Sequence, residues 1–164
     1  MAARRISSEH GAAFAEREAI ARRRAAIAIR PLLAGGDVPG PVRALLEQGW
    51  LDVLVQIQMN THSTIMPWDT AVRVPQDLIW SVRPKATAEE KHELIERIPE
   101  LIRVLRDGLV RIGSDPKWLE TRLGELQRLH VLALRNVRHG ADSRARNLSG
   151  GDVEEIVIDV PRKF

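Results

Sequence analysis

His62, Ser63 and Asp69 lie close together and have the residue types of a nucleophilic triad. A triad works only when a base reaches the hydroxyl and a carboxylate orients the base. Ser63 lacks the strained G-x-S-x-G turn that presents such a nucleophile. The hydroxyls of Thr61, Ser63 and Thr64 suit loop capping better. An enzymatic reading would require His62, Asp69 and His130 to converge on one pocket. His130, however, falls on an apolar helical stripe with Leu119, Leu123, Leu126 and Ala133. It is expected to be a hydrogen-bonded core or interface histidine.

Other chemistry is equally thin. The histidines at 10, 62, 92, 130 and 139 form no HExxH and no pair four apart, and there is no cysteine. A metal site therefore lacks its ligand spacing. Gly35-Gly36 and Gly150-Gly151 lack the lysine and the glycine spacing of phosphate-cradling loops. The acids at Glu89, Glu90, Glu93, Glu96 and Glu100 interleave with Lys91, Arg97 and Arg103, the pattern of a solvated helix face. Asn147-Leu148-Ser149 begins a cyclic-dinucleotide signature, but Asp152 stands where glycine is needed and no two arginines are four apart. The expectation is a chain without catalytic, cofactor or metal residues, hence not an enzyme.

Charge points to one segment. The chain of 164 residues carries a net charge of +3. Residues 1–30 hold 7 arginines and 3 glutamates, so the excess sits there. Arg17, Arg22, Arg23, Arg24 and Arg30 are the candidates for polyanion binding. No base-reading motif or aromatic platform accompanies them, so nucleic acid is the alternative partner rather than the first. Arginine outnumbers lysine by 21 to 4, a skew that a GC-rich genome writes into any protein. No apolar run is long enough to span a bilayer and no signal peptide follows Arg4-Arg5. A cytoplasmic location is expected.

The elements that would position these residues are almost all helical. A first helix is expected from Ser8-Glu9 through Phe14, Ile20, Ile27 and Ile29 to Pro31. After the breakers Gly35-Gly36 and Pro39-Gly40-Pro41, a second begins near Pro41 and carries Val42, Leu45, Leu46, Trp50, Val53, Leu54 and Ile57. Gly49 within it suggests close helix–helix approach. Pro67 and Pro75 bound a short element, and a separate short helix holds Leu78 to Val82. Thr87 and Glu90 fit a capping box at the start of a long helix striped by Leu94, Ile98, Leu101, Leu105 and Leu109. Pro99 predicts a kink or two abutting helices. Asp115 and Pro116 open the last helix, which is expected to fray near His139-Gly140. Residues 155–160 read as a lone strand in a tail.

The expected architecture is therefore all-α, a bundle of about five to six helices. Its divisions are a basic N-terminal helix at 1–36, a bundle core at 37–139 and a flexible, partly extended C-terminal tail at 140–164. Trp50 and Trp80 are expected in the core. Trp68 and Trp118, near helix starts, are candidate interface anchors.

The run PVRALLEQGWLDVLVQIQMN, followed by DLIWSVRPKAT and IPELIRVLRDGLVRIG, resembles the C-terminal helical region of the bacterial family known as domain of unknown function 1631. The resemblance covers about residues 38–134, on the landmarks Trp50, Leu78-Ile79-Trp80-Ser81-Val82 and Pro99-Glu100-Leu101. It implies a helical fold and, because members are usually far longer, either a fragment of a larger protein or a stripped-down relative. Some members carry the label thymidine phosphorylase, yet no phosphate loop or nucleoside pocket supports it here. The resemblance supplies no catalytic residues. The function expected is a non-enzymatic regulatory or protein–protein interaction module, meeting a protein partner or a second copy of itself.

Overall fold

The computed structural model describes residues 2–60 and 65–136, with side chains from residue 9 onward. These residues form an all-α bundle. In chain order the helices are α1 (Ala2–Leu33), α2 (Gly40–Leu45), a π-helical turn (Leu46–Trp50), α3 (Leu51–Met59), α4 (Trp68–Val82), α5 (Ala88–Arg111) and α6 (Pro116–Leu134). The expected strand at 155–160 and the fraying near His139 lie outside the described residues.

α1 buries one stripe, Ala21, Ala25, Ile29 and Leu33, spaced by four. It packs chiefly on α3. The helix starts at Ala2 rather than near Ser8 and continues past Pro31 into a final turn. Pro31 is exposed, so the carbonyl it leaves unpaired, that of Ile27, can be hydrated. Residues 9–17 are all exposed, and α1 thus runs on beyond the face it buries.

α2, the π turn and α3 follow one another without a break. Apolar pairs recur here every four residues: Leu45-Leu46, Gly49-Trp50, Val53-Leu54. A strict four-residue repeat drifts around an α-helix of 3.6 residues per turn. The wider π turn absorbs that drift and keeps all three pairs buried. Gly49 permits a close crossing, as expected: a Cβ there would lie 2.8 Å from Leu109 Cδ2 and 3.1 Å from Trp118 Cη2. On α5, a Cβ at Gly108 would lie 2.7 Å from Trp50 Cζ3. The two glycines seat neighbouring aromatic rings.

α4 corrects the sequence expectation of two short elements. One helix spans Trp68–Val82 with Pro75 inside it. Proline removes the N–H that would bond the carbonyl four residues back, here Ala71. Ala71 is fully buried, where an unpaired carbonyl is costly. The indole Nε1–H of Trp50 donates to that oxygen at 2.9 Å. A tertiary donor replaces the missing helical one, so the helix continues.

α5 likewise runs unbroken through Pro99. Pro99 is exposed and Ile95, whose carbonyl it frees, is 56 % exposed, so water takes the place of the lost bond. At its start, Thr87 Oγ1 accepts from the Glu90 N–H at 3.1 Å. The Glu90 carboxylate accepts the Thr87 hydroxyl at 3.2 Å instead of reaching the Thr87 N–H. α5 stops at Gly113 (φ +81°), where the Ser114 and Gly113 N–H groups return to the carbonyls of Leu109 and Val110. Asp115 caps α6 by accepting from the Trp118 N–H at 3.0 Å, with Pro116 in the first turn.

Candidate interaction surface

Of the triad-type residues, the structure describes only Asp69 and His130, and it sets them in different surroundings. His62 and Ser63 lie outside the described residues. Asp69 is exposed at the start of α4, whereas His130 is buried in α6. The partner that His130 finds is Ser81, with Nε2 2.9 Å from its Oγ. Ser81 Oγ donates its single proton to the Leu78 carbonyl at 2.7 Å, so it accepts from the imidazole Nε2–H. A nucleophile–base pair needs the opposite direction. Burial, followed by the charge of Lys85, lowers the His130 pKa to about 4, so the ring is neutral near pH 7. The histidine is a satisfied core group joining α6 to α4.

Lys85 completes this joint. Its Nζ donates to the carbonyls of Trp80 and Arg83 at the C-terminal end of α4 and lies 4.4 Å from the centre of the Trp80 ring. Arg97 stacks over the same ring at 5.0 Å. The Lys85 N–H bonds the Ala133 carbonyl at 2.9 Å, tying the α4–α5 connection to the end of α6. Burial lowers the Lys85 pKa, while three oriented acceptors (two carbonyls and an aromatic face) accommodate the ammonium. The signal in sequence is WSVRPK, which lies within the run DLIWSVRPKAT that carries the family resemblance but does not by itself announce a helix-terminal cation site.

Two concavities accompany the bundle. One, of about 450 Å³, opens where α1 passes α3, near Phe14, Arg22, Asp52 and Met59. The other, of about 320 Å³, lies between α4 and α5 over Leu94, Ile98 and Leu101. Thr70, Asp77, Ser81 and Glu100 also line the second, but the Ser81 hydroxyl proton is committed to the Leu78 carbonyl. Among the described residues no group of three or more potential ligands is placed to hold a metal ion.

Arg17, Arg22, Arg23, Arg24 and Arg30 of α1 fan around the helix instead of converging on one face. Arg22 bridges Glu18 and Asp52, each at 3.4 Å, on the side facing α3. Arg24 donates to Gln58 Oε1 at 3.0 Å. Arg17 lies 5.8 Å from the centre of the Phe14 ring. Arg23 and Arg30, seven apart, stand exposed on the far side of the helix from Ala25 and Ile29 and make no ion pair with another described residue. Trp68 and Trp118 are half-buried and pack against the core, the Trp118 ring meeting Gly49 and carrying Arg122 at 5.9 Å.

The outer face of α1 was not singled out by motif. Ile27 there is 72 % exposed. Read by helical phase, Ala12-Ala13, Ala19-Ile20 and Ala26-Ile27 recur every seven residues, with Ala13, Ile20 and Ile27 opposite the buried stripe and Ala12, Ala19 and Ala26 on its flank. That recurrence is the sequence signal that would have found this face.

No curated protein and no solved structure matches the chain. Residues 12–127 match a family model described as protein of unknown function (DUF1631), third domain. The match begins well before residue 38, where the resemblance was first drawn, and takes in most of α1. The chain therefore belongs to the DUF1631 family, through that family's third domain.

Proposed function

We propose that the chain is a non-enzymatic helical interaction module that offers the outer face of α1 to a protein partner. The observation that carries this reading is the exposure of Ile27, 72 %, on a strip continued by Ile20 and alanines. Isolated exposed apolar residues are ordinary. A strip repeating every seven residues along a long helix is the pattern of a helix-packing seam. Residues 9–17 all fall among the exposed residues, with Phe14 and Arg17 at the rim of the cavity beside α3, and a helical stretch with so little tertiary packing is only marginally stable. A docked partner would stabilise it.

Polyanion binding has weaker support, because Arg22 and Arg24 are engaged by Asp52, Glu18 and Gln58. No described helix is long and apolar enough to cross a membrane. The test is capture by the tagged full chain from its native cell, washed at low and high salt, with protein and nucleic acid both quantified. The expected result is a protein partner that survives high salt and is lost with Ile27→Asp. Nucleic acid held at low salt, released at high salt and lost when Arg23 and Arg30 are reversed would overturn the reading.

A further inference from the structure

Four charged residues sit on the outer seam of α1 at strict seven-residue spacing: Glu9, Glu16, Arg23 and Arg30. All four are exposed, and none forms an ion pair with another described residue. They alternate with Ala13, Ile20 and Ile27, so that Glu9, Ala13, Glu16, Ile20, Arg23, Ile27 and Arg30 follow the four-three spacing of a coiled-coil seam. This seam lies on the opposite side of the helix from Ala21, Ala25 and Ile29, which are in the core. A second helix laid along it would therefore meet no part of its own bundle.

The charges fall into two halves of opposite sign, and that order chooses the occupant. We propose that the seam binds a second copy of this chain, α1 against α1, antiparallel about a two-fold axis between residues 19 and 20. In that register Glu9 faces the partner's Arg30 and Glu16 faces the partner's Arg23. Ile20 packs on the partner's Ala19, Ile27 on the partner's Ala12, and Ala13 on the partner's Ala26. Each isoleucine thus meets an alanine, which permits close approach of the two helices. A parallel pair would set acid against acid and arginine against arginine, which is repulsive. The antiparallel pair also opposes the two helix dipoles. The contact is isologous, as a two-fold dimer requires. The inference deepens the interaction reading and rests on it, naming the partner as another copy.

The test uses the full chain and measures its mass by light scattering across a wide range of concentration. The wild type is expected to move from monomer to dimer, with a weaker dimer at high salt. Glu9→Arg with Glu16→Arg makes an all-positive seam, and Arg23→Glu with Arg30→Glu an all-negative one. Each variant alone is expected to remain monomeric, and their mixture to dimerise. Circular dichroism of each variant verifies that the bundle remains folded.

Register is read by cross-linking, which the absence of native cysteine makes clean. Ala12→Cys mixed with Ile27→Cys is expected to form a disulfide-linked pair, while neither variant links to itself. The two positions stand about 22 Å apart along one helix, so self-linking of either would mean a parallel pair and would overturn the register. A wild type that stays monomeric throughout sinks the proposal. If it does so while still capturing a different protein through Ile27, only the identity of the partner is wrong. If that capture also fails, the interaction reading falls with it.

Discussion

The indole Nε1 of Trp50 lies 2.9 Å from the carbonyl oxygen of Ala71, the oxygen that Pro75 deprives of its helical donor. The bond joins the π turn to the interior of α4, and it explains how a proline sits inside a buried helix. The same indole presses its ring onto Gly108 of α5. One side chain therefore fixes the mutual position of three helical segments.

Trp50→Phe keeps the aromatic packing but leaves the Ala71 carbonyl buried and unpaired. We expect a loss of about 2 kcal/mol in urea unfolding beyond the effect of the smaller ring. In a Pro75→Ala background the helix regains its own N–H donor, and the cost of Trp50→Phe should fall by about 1 kcal/mol. Equal costs in both backgrounds would show that the indole bond is not a substitute for the missing one.

Glycine-to-alanine changes should divide by location. Gly108→Ala drives a methyl into the Trp50 ring and Gly49→Ala drives one into Leu109, each expected to cost about 1–3 kcal/mol by overpacking. Gly124, within α6, has open space around it, and Gly124→Ala should stabilise by about 0.5–1 kcal/mol through helix propensity. Thermal midpoints of the three variants decide the matter. Destabilisation at all three positions would contradict the packing described.

His130 makes stability depend on pH in a stated direction. Its pKa is about 4 in the folded protein against 6.5 as the ordinary value, so the unfolded chain binds the proton more readily. The native state therefore holds its full advantage above pH 6.5 and loses it as pH falls toward 4. Between pH 7 and pH 4.5 the histidine should account for about 2 kcal/mol of lost stability. His130→Gln, compared with wild type by urea unfolding at both pH values, should lack this component. An unchanged pH dependence would mean that His130 protonates freely in the fold.

Lys85→Met retains an apolar stem but removes the donor to the Trp80 and Arg83 carbonyls. The expected cost is about 2 kcal/mol, the range for hydrogen bonds made by a charged group. Hydrogen exchange should show faster opening at the last turn of α4 and at the adjoining end of α6, where the Lys85 N–H meets Ala133. Uniform acceleration across the bundle would argue instead for general loss of packing.

Sequence disclosed those parts of the fold that depend on neighbours along the chain. Thr87 and Asp115 announced their helices because a cap acts over three residues. The stripes of α5 and α6 announced a bundle because helical period is local too. Pro75 misled for the opposite reason: its compensating donor, Trp50, is remote in sequence. Pro31 misled because breaker rules do not weigh solvent, which can reach the exposed carbonyl side of Ile27; at Pro99, beside exposed Ile95, the chain keeps one helix rather than two abutting ones. The π turn was legible in the four-residue recurrence of apolar pairs but was read as ordinary helix. At the candidate surface, the arginines drew notice by charge, whereas the outer seam of α1 is visible only when residues are placed by helical phase.

The π turn also bears on changes in chain length. A single-residue deletion at Glu47 or Gln48, both exposed, would let the turn relax to ordinary α geometry. Backbone bonding would improve locally, and the roughly 100° of rotation lost with one residue would offset the rotation that the wide turn gives up. Val42 and Leu45 would therefore keep facing the core with Val53 and Leu54. The extra residue is thus an insertion carried within one helical rod, and a one-residue deletion there should be better tolerated than the same deletion in the regular turns of α3, which have no wide turn to take it up.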